Sequence, residues 1–277
     1  SLTMAGPLAG NVTWAGTAPL AIHDNVSLAA TGITRTRTAL TTLTGSTTGK
    51  TFTTNGNTYG SIDINGVGCG WTLGSALDST GSQFTITNGA FDTSSYAVTT
   101  LGLTSTNATS DRTLSLGSTT WTNAQLSSAF LINAINFIFN AGTSNLVFTG
   151  ASPTLTVTGG SFSFYNVSFT NTAITTVIIA GTNTFNNLSV SGRTTSGISV
   201  VSLSANQTIN GTLTLSAGTN ATMRTMVQSD TIGTTRTLTC AAVSATDADF
   251  RDITIAGAAS PVSGTRLGDC KGNSGIT

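Results

Sequence analysis

The chain has 277 residues and a mass of 27.9 kDa, with ten Lys plus Arg balanced by ten Asp, no Glu and one His. Charged residues are 7% of the total and the basic ones are scattered, so no basic stripe exists to neutralise phosphates, and nucleic-acid binding is not expected. With 38% hydrophobic residues the chain can bury a core and is not expected to be disordered.

Strong helix formers are in short supply: Glu is absent and Lys occurs only at 50 and 271. Thr, Val, Ile and Phe, which fit a pleated surface, are abundant, and Gly, Asn and Ser supply turns. The expected class is all-β.

Residues 1–50 are the least regular stretch and hold Pro7, Trp14, Pro19, His23, Arg35 and Arg37. They are expected to form an N-terminal cap or docking segment, because an open end of stacked strands exposes unpaired edges. His23, beside Asp24, is the one histidine a Ser-His-Asp triad could use. No Gly-x-Ser-x-Gly elbow accompanies it, so a solvated loop histidine is the reading.

From residue 51 to 246 a phrase recurs: aromatic, two residues, apolar, one residue, apolar. It reads Tyr59-Gly-Ser-Ile62-Asp-Ile64, then Phe164-Tyr-Asn-Val167-Ser-Phe169, then Phe185-Asn-Asn-Leu188-Ser-Val190. A last copy, Phe250-Arg-Asp-Ile253-Thr-Ile255, falls just beyond. The copies start 105, 21 and 65 residues apart, near whole multiples of 21. A fixed period of this size marks stacked repeats.

Within the repeats, Leu114-Ser-Leu116, Leu155-Thr-Val157 and Leu213-Thr-Leu215 alternate as half-buried strands do, and Asp63, between Ile62 and Ile64, is expected to face outward. Turn signals fall at Asn55-Gly56, Asn65-Gly66, Asn88-Gly89, Gly159-Gly160 and Asn210-Gly211. Each rung of about 21 residues would hold two or three short strands. The four aromatics at equivalent places would stack along the interior or cover a corner.

The reading is a right-handed parallel β-helix, the hand following from the preference of parallel crossovers. A leucine-rich repeat would want Leu at most sites and an outer helix or 3₁₀ turn, and a β-sandwich pair is the conventional competitor.

Trp14, Trp71 and Trp121 each sit among small polar residues. Their indoles are candidates for stacking sugars or lining an interface between copies, against the commoner role of filling a core. The apolar run from Phe130 to Phe139 is broken by Asn133 and Asn136 and is too short to cross a bilayer, so membrane insertion is not expected. It reads as a buried pair of strands, the alternative being an amphipathic helix with its asparagines on one face. Cys69, Cys240 and Cys270 are too widely spaced for a zinc site, and a Cys240–Cys270 bridge is one arrangement the sequence allows.

Residues 247–277 carry seven of the twenty charges, which marks them as a C-terminal rung or cap, or a surface that meets another chain. Asp247, Asp249 and Asp252 are the one cluster of carboxylates, with Asp247 and Asp249 expected on one strand face. Three readings apply: a solvated cap paired with Arg251, a calcium site, or the carboxylate pair that glycoside hydrolysis needs. Eight Asn-x-Ser/Thr sequons are what chance supplies in so hydroxyl-rich a chain. The start at Ser1 without Met and the strand-like end at Thr277 predict a processed or continuing product.

The phrase Thr184-Phe-Asn-Asn-Leu-Ser-Val-Ser-Gly192 resembles repeats of bacterial β-solenoid surface proteins, as do Trp71-Thr-Leu-Gly-Ser-Ala-Leu77 and Phe84-Thr-Ile-Thr-Asn-Gly-Ala-Phe-Asp92. The stretch Asp247-Ala-Asp-Phe-Arg-Asp-Ile-Thr-Ile-Ala-Gly257, with the segment from Gly264 to Gly275, resembles structural proteins of tailed-phage particles. That resemblance implies a virion-surface role as fibre, spike stem or capsid decoration, commonly trimeric, and carries no catalytic motif onto this chain.

The expected function is a non-enzymatic structural protein of a phage virion, without cofactor or metal. Its expected partners are further copies of itself, as a homotrimer, other virion or surface proteins, and cell-surface glycans. A bacterial adhesin or filament subunit is the second reading and a glycan depolymerase the third.

Overall fold

A computed structural model describes residues 2–3, 12–14, 16–28, 32–35 and 39–277. Pro7, Arg37 and the side chains of Trp14 and Arg35 lie outside the described residues. Among the described residues every regular element is a β-strand, and the strand pairings given for them are parallel. The chain is a parallel β-solenoid, with about 11 turns among the described residues. The spacing is about 23 residues rather than the expected 21. It divides into two compact units, residues 1–124 with 132–144, and residues 125–131 with 145–277.

In the first unit three sets of strand arms stack. One set runs through Leu20–Ile22, Thr41–Leu43 and residues 62–64, 84–86 and 102–104. A second runs through Val26–Ser27, Lys50–Thr53, residues 71–73 and 90–92, Arg112–Ser115 and Phe137–Asn140. The third joins residues 77–79, residues 98–100 and Thr120–Asn123. Parallel pairing thus reaches into the 1–50 segment, where Leu2 also lies opposite Val26 and Val12 opposite Ile33.

The second unit repeats the plan. One ladder passes through Asn145–Phe148, Ser163–Phe169, Asn183–Val190, Gln207–Leu215, Arg236–Ala245 and Ile253–Ala256. Its register shifts at a corner between Phe185 and Leu188 and between Ile209 and Thr212, so one long strand supplies two arms. The other ladder joins Thr154–Thr158, Thr176–Ala180, Ser199–Leu203, Thr225–Ser229, Ala248–Arg251 and Gly268–Asp269. Asn65-Gly66, Asn88-Gly89 and Asn210-Gly211 mark such corners, where the chain bends without leaving the ladder.

Alternation decides what lies inside. Thr176–Ala180, Ser199–Leu203 and Ile253–Ala256 each bury every second side chain and leave the rest at the surface. Phe148 stacks on Phe169 at 4.9 Å between ring centroids, and Phe164 on Phe185 at 5.4 Å. Beyond Phe185 the column continues with the smaller Ile209 and Cys240. An apolar void of about 10 Å³ lies in the second unit among Leu188, Val201, Leu213, Val227 and Leu238.

The fourth aromatic corrects the expected stack. Phe250 lies opposite Val227 in the other ladder, while Ile253 and Ile255 of the same phrase lie opposite Arg236 and Leu238. The phrase therefore turns a different corner there. The run forms two strands, Phe130–Asn133 and Phe137–Asn140, as expected, but not a buried pair: in the second only Phe137 is buried, and Ile138 points outward and is 61% exposed.

Candidate functional site

The carboxylate cluster is closed by arginines rather than open to a ligand. Asp247 is buried, and its Oδ1 accepts from Arg266 Nε at 2.5 Å while its Oδ2 accepts from a terminal guanidinium nitrogen at 2.9 Å. Asp249 accepts two bonds from Arg224, at 2.6 and 2.7 Å, and Arg224 also stands 3.7 Å from Asp247. The same guanidinium donates to the carbonyl of Arg266 at 2.7 Å.

The expected partner Arg251 is elsewhere, donating to Gln228 Oε1 at 2.7 Å. Asp247 sits at φ +56 ahead of the Ala248–Arg251 strand and turns inward, so it does not share an outward face with Asp249. Buried Asp252 takes a third direction and accepts from the Gly233 amide at 3.0 Å. Bidentate pairs of this kind fill both carboxylate oxygens. Among the described residues no group of His, Cys and Asp could hold a metal ion.

Two of the three tryptophans are core residues. Trp71 is 1% exposed and donates its indole N–H to the carbonyl of Thr44 at 3.1 Å. Trp121 is fully buried, donates to Thr100 Oγ1 at 2.9 Å and meets Phe84 edge-on at 5.3 Å. Neither indole offers a face to sugar; each buries its ring and satisfies its one donor, as an interior tryptophan must. Trp14 lies in the Val12–Trp14 strand and its side chain is not among those described. His23 is exposed, in keeping with a solvated loop.

The three cysteines are free, so no Cys240–Cys270 bridge is formed. Burial pushes the Cys240 thiol up to about 12, and burial likewise raises that of Cys69. Both are poor nucleophiles as a result.

Two interior arginines were not foreseen. Arg112 is 1% exposed and spends its guanidinium on backbone carbonyls, those of Ser105 at 2.9 Å, Ser110 at 3.1 Å and Asn133 at 3.1 Å, with Ile135 O beside them. It also lies 5.2 Å from the Phe137 ring centre, a cation–π distance. Burial lowers its pKa. Arg193 does the same work in the second unit, donating to the carbonyls of Ala173, Ile174, Thr195 and Ser196. The parity of Arg112-Thr-Leu114-Ser-Leu116, which puts Arg112 on the inward face with Leu114 and Leu116, was the available signal.

One concavity stands out in the first unit. Asn65 pairs with Asn88 and Gly70 with Ala90, so residues 66–69 bulge out opposite Gly89 alone. Gly89 itself is at φ +93, and a side chain there would meet Cys69 Sγ at 2.5 Å and Gly66 O at 2.8 Å. The bulge lifts Val67 to 78% exposure beside a groove of about 630 Å³. Thr48 borders it on one side, Asn88 and Ala90 below, and Ser110, Asp111 and Thr113 on the other.

Among the described residues, these features define a parallel β-solenoid in which Asp247 and Asp249 are paired with arginines and a groove beside Val67 mixes hydroxyl, amide and carboxylate groups with apolar surface. No protein-family model, curated protein or solved structure matches the chain.

Proposed function

We propose that the chain is a non-enzymatic structural protein of a surface, of the kind that forms the fibre, spike stem or capsid decoration of a tailed-phage virion. The observation that carries this reading is the double guanidinium clamp on Asp247 and Asp249. Glycosidic cleavage needs one carboxylic acid and one carboxylate free to reach the substrate, and those two are held by Arg266 and Arg224. The fold supports it as well: rung upon rung presents Ser, Thr and Asn outward with zero net charge, which gives little purchase to nonspecific electrostatic capture.

The proposed partners are two further copies of the chain and neighbouring virion proteins, and the proposed place is the virion surface. Neutral faces pack against each other without like-charge repulsion, which favours a homotrimer. Two measurements test the proposal. Light scattering is expected to give a mass near three times 27.9 kDa, and a stable monomer would sink the trimeric fibre. Incubation with a panel of bacterial polysaccharides is expected to release no reducing ends; release that persists in purified protein would overturn the non-enzymatic reading.

A further inference from the structure

We propose that the groove beside Val67 is a binding site for a neutral saccharide. This goes beyond the structural role and does not depend on it. The hollow, at about 630 Å³, falls within the range of small-molecule sites and has room for a short sugar chain. It spans four successive turns, represented by Thr48, Val67, Asn88 and Asp111.

Its walls are held in place before any ligand arrives. On the far side, Asn107 Oδ1 accepts from the amide of Thr109 at 3.0 Å and from its hydroxyl at 2.8 Å, and Asn107 Nδ2 donates to Ser110 Oγ at 2.9 Å. From inside, Arg112 grips the carbonyls of Ser105 and Ser110 at either end of the same loop. Buried Arg112 is thus a positioning residue for the Asp111 segment. On the near side, the close approach of Gly89 to Cys69 and Gly66 fixes the bulge that carries Val67. A site fixed in this way loses little entropy when it binds.

The lining selects the ligand. Two backbone amides of the floor are already paired, Gly70 N to Thr47 O at 3.2 Å and Gly89 N to Asp111 O at 3.0 Å, which leaves less for a peptide adding as a strand. Asp111 is the one charged side chain lining the hollow, which disfavours phosphates and acidic sugars by repulsion. One carboxylate is also too few for a calcium ion, which takes six to eight oxygens. Among the described residues, the side chains of Thr48, Asn88, Asp111 and Thr113 have no hydrogen-bond partner in the protein, leaving donors and acceptors for sugar hydroxyls. The methyl groups of Val67 can cover the apolar face of a sugar ring.

The test is protein amide NMR with maltose, lactose and N,N′-diacetylchitobiose as neutral probes and digalacturonate as the acidic one. At least one neutral probe is expected to shift residues 67–70, 88–90 and 109–113, and digalacturonate is not. Asp111→Ala and Asn88→Ala should each weaken binding about tenfold, the equivalent of one lost hydrogen bond to ligand. Ser189→Ala, on the second unit, should leave it unchanged. Thr113→Ala, which removes another hydroxyl of the lining, serves if Asp111→Ala does not fold. The proposal is overturned if no neutral probe shifts these residues, if the shifts map elsewhere, if digalacturonate binds as well, or if the groove variants keep full affinity. None of those results bears on the oligomeric mass, so this inference and the structural role fail separately.

Discussion

Arg266 and Asp247 meet across one turn of the solenoid, 19 residues apart, in a two-bond pair at 2.5 and 2.9 Å. Asp247 is 1% exposed, and the bonds from Arg266 hold its carboxyl below the ordinary 3.8. A carboxylate that ionises more readily folded than unfolded adds stability above the unfolded value. That stability is lost as pH falls below it, through the folded value. The melting temperature should therefore be level from pH 7 to 5 and fall below about pH 4. Arg266→Ala should lower the level part and shrink the acid drop, read by circular dichroism melts across pH. An unchanged acid limb would show that Asp247 does not govern it.

Asp63 has the opposite sign. Burial between its neighbours raises its carboxyl above 3.8, a shift that the 2.8 Å bond from Thr87 Oγ1 only moderates. The folded state then holds its proton longer than the unfolded state, and stability falls as pH rises from 3.8 through the folded value. Asp63→Asn keeps an acceptor for Thr87 and removes the charge. It should raise the melting temperature at pH 7 and leave it unchanged at pH 3. A loss of stability at pH 7 would refute this account.

The aromatic column should be sensitive to truncation. Phe185 is fully buried and stacks on Phe164 at 5.4 Å, with the planes only 14° apart. Phe185→Ala removes the ring next to a column that already narrows to Ile209 and Cys240. It should cost about 3–5 kcal/mol in urea unfolding, and Phe185→Leu distinctly less. A cost below about 1 kcal/mol would mean that the neighbouring rungs close over the gap.

Thiol chemistry reports the same core. Cys270 is exposed, while Cys69 and Cys240 are buried with raised thiols. A thiol reagent at pH 8 should label one cysteine per native chain and three after unfolding. Rapid native labelling of Cys240 would contradict its place inside.

Much of the fold was legible because burial repeats every second residue and aromatic phrases recur. The 21-residue period came from the Phe164–Phe185 step, which holds for that pair of turns, whereas Gln207 pairs with Leu238, 31 residues on. Phe250 shows the limit of phrase matching: the same letters can turn a different corner when a neighbouring turn is longer. The Asp247–Arg266 pair was missed because adjacency suggested Arg251, although partners in a solenoid lie one turn away. Trp71 and Trp121 sit among polar residues in sequence yet face inward, since parity rather than neighbourhood sets direction. The groove left no motif at all. It arises from a bulge between Asn65 and Gly70 that only the pairing of neighbouring turns exposes.

Between the paired strands the step ranges from 17, for Arg236 and Ile253, to 31, for Gln207 and Leu238, while the arms stay aligned. Length is absorbed where the chain turns, as in the exposed residues 230–235. Such corners are natural grafting points. A foreign epitope spliced beside Gly233, which sits at φ +79 with open space around it, would be carried outside the ladder. One scaffold could then vary what it displays while keeping the frame that displays it.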